Sequence, residues 1–501
     1  MPASSPSVRP SGVSGVSMAP TSPDVGPPVT THPVALDPAS PLTDRATAEA
    51  YVASVCFKHG PPRLVGTELE WLVRDARDPA RPLDPALLAR ALGPHAPTTL
   101  PGTHLVETNG DTPVPRQTPE SSGPAPLPAG GTVTVEPGGQ VEIASPPLPG
   151  VGELVRAVRR DAAALRERLA AEGLVTAPRA SDPLRPPRRL LDVPRYAAME
   201  ASFDRIGPHG RTMMCSTTAV QVCVDAGEGE DVAQRWAALH ELGLVLLGAF
   251  ANSPVIHGRR TGWKSARMAS WMALDPERTS PPAALGADPG REYARRALDT
   301  HLLCVRRDRT DGVSWEAPDV TFAQWIEGAL DTAPTRADLD YHLTTLFPPV
   351  RPQGHLEVRY LDQQAGDEWV VPLVVVAALL HDPGTVARAR AAAEPAADRW
   401  TAAARHGLDD RVLRRAAGDV FEQAHRTLAG PAFADLDEDV RDLVDHVITE
   451  RVLRGRCPAD EALDPAESRV PAPPPQAPSP LDPDDPEPSP GDRPSSEVSS
   501  S

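Results

Sequence analysis

Residues 63–74, RLVGTELEWLVR, contain the alternation that decides the fold. Successive side chains of a β-strand point to opposite faces of its sheet, so Glu68 and Glu70 share one face. Leu69 and Trp71 lie on the other face and can pack on a core. Two carboxylates on one face, with Cα atoms about 7 Å apart, are costly unless water or a cation neutralises them. The segment therefore predicts a strand with one buried face and one acidic face, which is either simply solvated or binds a cation.

Three other segments repeat this design. TVTVEPGGQVEIAS at 132–145 predicts two short strands joined by a Pro-Gly-Gly turn, while MMCSTTAVQVCVD at 213–225 and HLEVRYLD at 355–362 each predict one strand. In each segment, polar residues share one face and apolar residues share the other. The polar positions include Glu136, Glu142, Gln221, Glu357 and Arg359.

Several glutamates on one sheet face suit a hard divalent cation, which prefers oxygen ligands. Mg²⁺ is usually held by a few carboxylates together with the phosphates of a substrate, so the pattern points to a nucleotide. Alternation alone does not place these strands in one sheet, and a solvated acidic face is the alternative interpretation.

Helical patterns surround the strands. Residues 151–172 repeat apolar positions with a period of 3.6 and are followed by Gly173, and residues 231–251 are typical of a buried helix. Because the strands seldom occur in strand–helix–strand units, the sequence predicts an α+β fold with an antiparallel-rich sheet flanked by helices. Also predicted are a strand at 103–107, a surface loop at 111–131, and helices at 43–56, 291–304, 368–381, about 385–406, 411–429 and 437–454.

Proline marks the ends of the folded unit. The chain of 501 residues has 61 prolines, of which 10 lie in residues 1–42 and 13 in residues 458–501. The C-terminal stretch also has ten acidic residues against two arginines, which is nearly half of the net charge of −18. Such segments bury too little apolar surface to offset the loss of chain entropy. We therefore expect disordered tails at 1–42 and 458–501 around one large domain at 43–457.

The composition excludes several classes of protein. A net charge of −18 argues against non-specific nucleic-acid binding, which needs a basic face. The longest apolar runs, 242–250 and 370–380, are about half as long as a membrane-spanning helix requires. The N-terminus has no apolar segment typical of a secretory signal, and five cysteines without CxxC spacing are typical of reduced thiols. We therefore expect a cytoplasmic protein without nucleic-acid or membrane partners.

A basic segment interrupts this acidic chain. Residues 251–282 contain four arginines and Lys264, together with Trp263 and Trp271. The segment is either a loop that binds phosphate or carboxylate through bidentate arginine contacts, or ordinary solvated surface. Because Lys58 and Lys264 are the only lysines, catalysis by a lysine nucleophile is disfavoured and arginines are expected to bind anions.

The strand motifs occur in one order with other short motifs, namely GTELE (66–70), EPGGQVEIAS (136–145), MMCSTTAVQVCVD (213–225), ANSP (251–254) and TLFPPVRPQGHLEVRYLD (345–362). Over about residues 43–455, these motifs resemble the glutamate–cysteine ligase family of the plant and proteobacterial type, and most of all its actinobacterial members of ergothioneine biosynthesis. The resemblance implies a glutamine-synthetase-like sheet that forms a funnel over ATP and Mg²⁺. It also implies that ATP, L-glutamate and L-cysteine give γ-glutamylcysteine, ADP and phosphate through a γ-glutamyl phosphate.

The same resemblance implies a role for each polar residue, and makes 43–457 the catalytic domain. The implied Mg²⁺ ligands are Glu68, Glu70, Glu136, Glu142 and Glu357. The implied catalytic residues are Glu68, Glu142, Arg267 and Arg359. The implied substrate-binding residues are Arg267, Arg278, Gln221 and Arg351.

Two other functions stay open at this point. A related carboxylate–amine ligase would join glutamate to a different amine, and a panel of amines distinguishes it. A non-catalytic binding protein on the same scaffold would have no need for the retained glutamates, and Mg-ATP binding distinguishes it.

Overall fold

The computed structural model describes residues 37–58, 63–101, 123–309 and 312–464. Short strands are spread along the whole of this part of the chain. They are β1 (Val65–Trp71), β2 (Val73–Asp75), β3 (Thr132–Val135), β4 (Val141–Ala144), β5 (Leu174–Thr176), β6 (Ala219–Val224), β7 (Val255–Ile256), β8 (Arg259–Arg260), β9 (Val305–Arg309), β10 (Gly312–Glu316), β11 (Val350–Pro352) and β12 (Leu356–Asp362).

Six of these strands form one sheet, in the order β11-β12-β6-β1-β4-β3. Every neighbouring pair in this sheet is antiparallel. Glu70 lies opposite Glu142, and Glu68 lies opposite Gln221. The predicted acidic strands therefore share one sheet, and the prediction of an α+β fold with an antiparallel sheet is confirmed.

Helices flank the sheet. They are α1 (Arg45–Cys56), α2 (Pro85–Leu92), α3 (Val151–Ala171), α4 (Pro194–Asp204), α5 (His209–Ser216), α6 (Asp231–Phe250), α7 (Ala266–Met272), α8 (Pro276–Thr279), α9 (Pro289–Asp299), α10 (Phe322–Ile326), α11 (Arg336–Leu343), α12 (Val370–Leu379), α13 (Pro383–Ala393), α14 (Trp400–His406), α15 (Arg411–Leu428), α16 (Glu438–Val447) and α17 (Pro458–Leu463).

The apolar side of the sheet packs on α6 and α12. Every residue of α12 is buried, as is every residue of α6 from Leu242 onwards. A helix that is apolar on all sides belongs inside a protein. Tyr360 of β12 donates its hydroxyl to the carbonyl oxygen of Leu239 at 3.0 Å, which ties α6 to the sheet. The opposite side of the sheet is thus left to the polar residues.

Five predicted elements differ from the structure. The strand predicted at 63–74 is β1 followed by β2, which pairs with β5 outside the six-stranded sheet. The helix predicted at 437–454 is α16 followed by a π-helical segment at Ile448–Val452. The segment 213–225, predicted as one strand, is divided between the end of α5 and β6. The prediction failed because the four residues 213–216 are too few for their periodicity to distinguish a helix from a strand. The helix predicted at 291–304 is α9, which ends at Asp299. The helix predicted at 385–406 is α13 followed by α14, with a 3₁₀ turn at Glu394–Ala396 that contains Pro395, a residue that cannot continue a helix.

The folded chain extends past both boundaries that the sequence predicts. Leu42 is buried and Pro41 forms a β-bridge with Thr335, although both belong to the predicted N-terminal tail. At the other end α17 lies after residue 457, and Lys264 forms an ion pair with Asp460 of this helix. Residues 37–42 and 458–464 are therefore part of the fold. The strand predicted at 103–107 and most of the loop predicted at 111–131 lie outside the described residues.

In the described ranges, no single helix has both the length and the apolar character needed to cross a membrane. The two helical segments Val370–Leu379 and Pro383–Ala396 meet these criteria only when counted together, and their axes are bent by 110° at the break between them.

Candidate active site

A chain of hydrogen bonds crosses the polar side of the sheet from β11 to β1. Arg351 on β11 donates from Nε and Nη2 to Glu357 on β12, at 2.6 and 3.0 Å. Arg359, also on β12, donates from Nη1 to Glu357 at 2.6 Å and to Oε1 of Gln221 on β6 at 2.8 Å. Gln221 donates in turn from Nε2 to Glu70 on β1 at 2.8 Å. Four strands thereby bring together five residues that the sequence analysis singled out.

Glu357 is the most fully compensated carboxylate of this face. It is 1% exposed and accepts from Arg351, from Arg359 and from Nε2 of Gln353, the last at 3.0 Å. Burial raises the pKa of Glu357, but the two guanidinium groups outweigh burial and hold the pKa at about 2. The carboxylate is therefore ionised and already occupied by protein donors.

The other half of the face has four glutamates in a different situation. Among the described residues, Glu68, Glu70, Glu136 and Glu142 form no ion pair with Lys, Arg or His within 4.0 Å. Burial, followed by the negative charge of Glu357, raises the pKa of Glu68 to about 7. Burial, followed by the charge of Glu136, raises the pKa of Glu70 to about 7 as well.

The β3–β4 hairpin contributes the other two carboxylates of this acidic half. Burial raises the pKa of Glu136 above its ordinary value. Burial, together with the charges of Glu68, Glu136 and Glu70, raises the pKa of Glu142 well above its ordinary value. Glu142 accepts a hydrogen bond from the Thr134 hydroxyl at 2.7 Å, which offsets only part of this effect. Burial therefore dominates in all four carboxylates of the acidic half, and the charges of neighbouring glutamates add to it for Glu68, Glu70 and Glu142.

Glycines allow this hairpin to approach the rest of the site. Gly139 has a φ of +88°, a conformation that glycine adopts without strain. Gly138 lies so close to α5 that a Cβ atom there would be 2.3 Å from the carbonyl oxygen of Cys215. Gln140 donates from Nε2 to the carbonyl oxygens of Met214 and Thr217, so it anchors α5 to the turn. The Pro-Gly-Gly-Gln segment is thus a structural device that holds Glu136 and Glu142 in place.

Arg267, on α7, reaches this face from the side. Its side chain is 2% exposed, Nη2 donates to the carbonyl oxygen of Arg359 at 2.8 Å, and Nη1 lies 3.6 Å from Oδ1 of Asp362. The guanidinium carbons of Arg267 and Arg359 lie 4.9 and 5.5 Å from the ring centroid of Trp271. Burial lowers the pKa of Arg267, and the charges of Asp362 and Glu70 oppose this shift.

Arg359 keeps an unused donor next to this pair. Its Nε is buried and has no hydrogen-bond partner among the described residues. Two guanidinium groups that share one indole ring therefore form a cationic half of the site, and this half can bind an anion.

The structure does not bring Arg278 into this group. Its Nε pairs with Asp275 at 2.8 Å, and Nη1 donates to the carbonyl and hydroxyl oxygens of Thr345 at 3.2 Å. Its Nη2 donates to the carbonyl oxygen of His301. With all three guanidinium nitrogens bound to protein oxygens, Arg278 holds α8 in place, and its predicted substrate-binding role gains no support.

The acidic half fits Mg²⁺ by the chemistry of its donors. Glu142 is buried and Glu68, Glu70 and Glu136 are half-buried, and all four carboxylates offer hard oxygen ligands. Their pKa values are raised because no charged partner offsets the cost of removing these carboxylates from water. Across the residues that the structure describes, no three His, Cys, Asp or Glu side chains already have the spacing of a metal centre. The structure therefore shows a suitable set of donors rather than a finished metal site, and it shows Glu357 engaged by arginines instead.

Sequence reasoning missed the role of Asp362. It is the last residue of HLEVRYLD, and strict alternation would place it on the apolar side with Val358 and Tyr360. A register shift between Val358 and Leu361 puts Asp362 opposite Ala219, on the same side as Gln221. Such a β-bulge leaves no clear pattern in a single sequence.

The chain is similar over most of its length to glutamate–cysteine ligases. The model of glutamate-cysteine ligase family 2 (GCS2) matches residues 64–473. The glutamate–cysteine ligase EgtA of Mycobacterium tuberculosis is 38% identical over 439 residues, which cover 86% of this chain and 93% of that protein. EgtA of Mycolicibacterium smegmatis is 40% identical over 346 residues, with coverages of 68% and 79%. A solved glutamate–cysteine ligase from Francisella tularensis in complex with AMP aligns with a TM-score of 0.46 and 13% identity, over 82% of this chain and 86% of that chain.

Proposed function

The chain belongs to glutamate–cysteine ligase family 2, and on that premise we propose how its polar sheet face carries out the reaction. The enzyme is an ATP-dependent ligase that forms γ-glutamylcysteine. Its proposed substrates are L-glutamate, L-cysteine and ATP, with Mg²⁺ as cofactor. Its proposed place is the cytoplasm, where the product would enter ergothioneine biosynthesis.

The chemistry needs activation of a carboxylate. The γ-carboxylate of glutamate is a poor electrophile until a γ-phosphoryl group from ATP turns one of its oxygens into a leaving group. The amine of cysteine then attacks the carbonyl carbon, phosphate leaves, and an amide forms. Neither step needs a covalent enzyme intermediate. Cys223 fits this view, since burial raises the pKa of its thiol well above the ordinary value.

The cationic half is proposed to bind the anions. Arg267 and Arg359 would hold the glutamate carboxylate and the transferring phosphoryl group. Both guanidinium groups lie over the ring of Trp271, and Nε of Arg359 has no partner in the described structure. Gln221 would fix Arg359 against Glu70. Arg351 gives two donors to Glu357, so we assign it to holding Glu357 rather than to substrate.

The acidic half is proposed to hold the cation. Glu68, Glu70, Glu136 and Glu142 would be its ligands, whereas Glu357 would stay with its arginines. When bound, Mg²⁺ neutralises charge on the phosphates and supports their alignment for transfer. The cation in return would offset both the burial and the mutual repulsion that now raise the pKa values of Glu70 and Glu142.

The observation that carries this proposal is the division of one sheet face into an uncompensated acidic half and a cationic half. A Mg-nucleotide presents both charges, and glutamate adds a second anion. A solvated acidic surface would have no reason to withdraw four glutamates from water, Glu142 fully and the other three in part, beside two arginines that lie over one indole ring.

The test is ADP release by the full chain with glutamate fixed and a panel of amines, followed by mass spectrometry of the product. We expect ADP release that needs both glutamate and cysteine, with a product of the mass of γ-glutamylcysteine. No ADP above the control without amine would refute the proposal. A higher kcat/KM with another amine would favour the alternative carboxylate–amine ligase.

A further inference from the structure

Asp362 lies directly behind Arg267 and is 0% exposed. We propose that Asp362 is a positioning residue, which acts on the reaction by fixing Arg267 in its anion-binding place. This inference rests on the proposed function of Arg267.

The β-bulge in β12 creates this arrangement. Glu357 pairs with Cys223 before the bulge and Asp362 pairs with Ala219 after it, so both acids fall on the polar side. Without the extra residue, alternation would direct Asp362 towards the apolar core. The bulge therefore places one more carboxylate on this face, beside the cationic half.

Donors surround the Asp362 carboxylate on both oxygens. Oδ2 accepts from the backbone nitrogen of Asn252 at 2.8 Å and from the Ser253 hydroxyl at 2.7 Å. Oδ1 accepts from the Ser265 hydroxyl at 2.9 Å and lies 3.6 Å from Nη1 of Arg267. Arg267 is its charged partner, and the three other donors are neutral. A buried carboxylate with this set of donors has one favourable orientation.

The two serines transmit that orientation to α7. The Ser253 hydroxyl accepts from the backbone nitrogen of Arg267 at 3.1 Å, while the Ser265 hydroxyl accepts from that of Met268 at 3.2 Å. Since each hydroxyl has a single hydrogen and gives it to Asp362, the carboxylate decides where both oxygens point. Asp362 thus fixes the backbone at the start of α7 as well as the guanidinium group that this helix carries.

Fixing Arg267 also fixes its partner. Arg267 donates to the carbonyl oxygen of Arg359, and both guanidinium groups lie over Trp271 on the same helix. A loss of charge at Asp362 would free Arg267 to turn away without breaking the sheet. The expected consequence is weaker anion binding in a protein that still folds.

The experiment is a double-mutant cycle on the full chain, with kcat and KM for glutamate measured at saturating ATP and cysteine. We expect D362N to lower kcat/KM about tenfold and R267Q about 100-fold. The double variant should be no worse than R267Q within about twofold, because Asp362 acts through Arg267.

The control is D161N. Asp161 is also buried, but its carboxylate accepts from the backbone nitrogens of Ala129 and Gly131, away from α7. If D161N lowers kcat/KM, the double variant D161N/R267Q should show the product of the two single losses. A general loss of stability does not depend on Arg267.

If the loss of kcat/KM in D362N/R267Q equals the product of the two single losses, the inference is overturned and the proposed function stays intact. Wild-type kinetics in R267Q would overturn both. If D362N does not fold, S265A removes one donor to the carboxylate, and its smaller loss should likewise vanish in the R267Q background. A loss in S265A that multiplies with R267Q contradicts the inference.

Discussion

Glu357 and Glu142 lie on the same side of one sheet, yet their charges are balanced in different ways. Glu357 has two arginines against it and a pKa of about 2. Glu142 has three other glutamates around it and a pKa well above the ordinary value. The first carboxylate is complete within the fold. The second has no charged partner in the described structure, and we propose that the cation of the nucleotide substrate supplies one.

The largest expected effect comes from E142Q. Removing one donor of the acidic half should lower turnover about 1,000-fold at saturating substrates, because metal binding contributes several kcal/mol to phosphoryl transfer. ADP release measures turnover, and circular dichroism checks the fold. The matched control is E241Q. Glu241 lies on α6 and forms an ion pair with Arg390 of α13, so this variant should keep normal turnover. Equal turnover in E142Q and E241Q would contradict the proposed role of Glu142 in binding the cation.

E357Q should act mainly on stability. Its neutral amide leaves two half-buried arginines without a full counter-charge, so the free energy of unfolding should fall by about 2 kcal/mol. Urea denaturation of the metal-free protein measures this change. E142Q should leave that free energy unchanged or raise it, because repulsion decreases. The comparison fails if both variants are destabilised alike.

The pH dependence of the metal-free protein should reveal the same contrast. A glutamate whose pKa is raised by folding binds its proton more tightly in the folded state, so stability falls as the pH rises from 4.5 to about 7 for Glu68 and Glu70. We expect a steady loss of stability between these limits, and a shallower slope in the double variant E68Q/E70Q. Glu357 has the opposite sign, since its contribution is full above pH 4.5 and is lost towards about 2. Identical slopes in the double variant and the wild type would contradict the acidic half as described.

The smallest effect is expected at Arg278. R278K cannot satisfy all the oxygens that Arg278 now binds, so Tm should fall by about 5 °C, but KM for glutamate should stay within about twofold. R267K should raise that KM about tenfold, since it alters the anion-binding half. Thermal unfolding and steady-state kinetics on the two variants decide the matter. A large increase in KM for glutamate in R278K would instead indicate that Arg278 binds substrate.

Local patterns predicted the acidic half well. Alternation placed Glu68 and Glu70 on one face of β1, and the Pro-Gly-Gly turn placed Glu142 on the paired strand. The motifs with their order pointed to the family, which the comparisons confirm.

Long-range contacts explain what the sequence could not provide. Arg278 donates to oxygens of Thr345 and His301, which are distant along the chain, so the sequence could not show that its guanidinium group is already occupied. Glu357 is surrounded by arginines rather than glutamates because β11, which carries Arg351, pairs with β12. The position of Asp362 depends on a bulge in β12. A single sequence shows which residues are polar, but not which of them already have partners.

We propose that the glutamates of the acidic half bind the divalent cation. Mn²⁺ binding by electron paramagnetic resonance tests it directly, with Mn²⁺ as the probe and Mg²⁺ as the competitor. We predict that the wild type and E241Q bind Mn²⁺ in competition with Mg²⁺, and that E142Q binds at least about tenfold more weakly. Equal Mn²⁺ affinity in E142Q and the wild type would contradict the account.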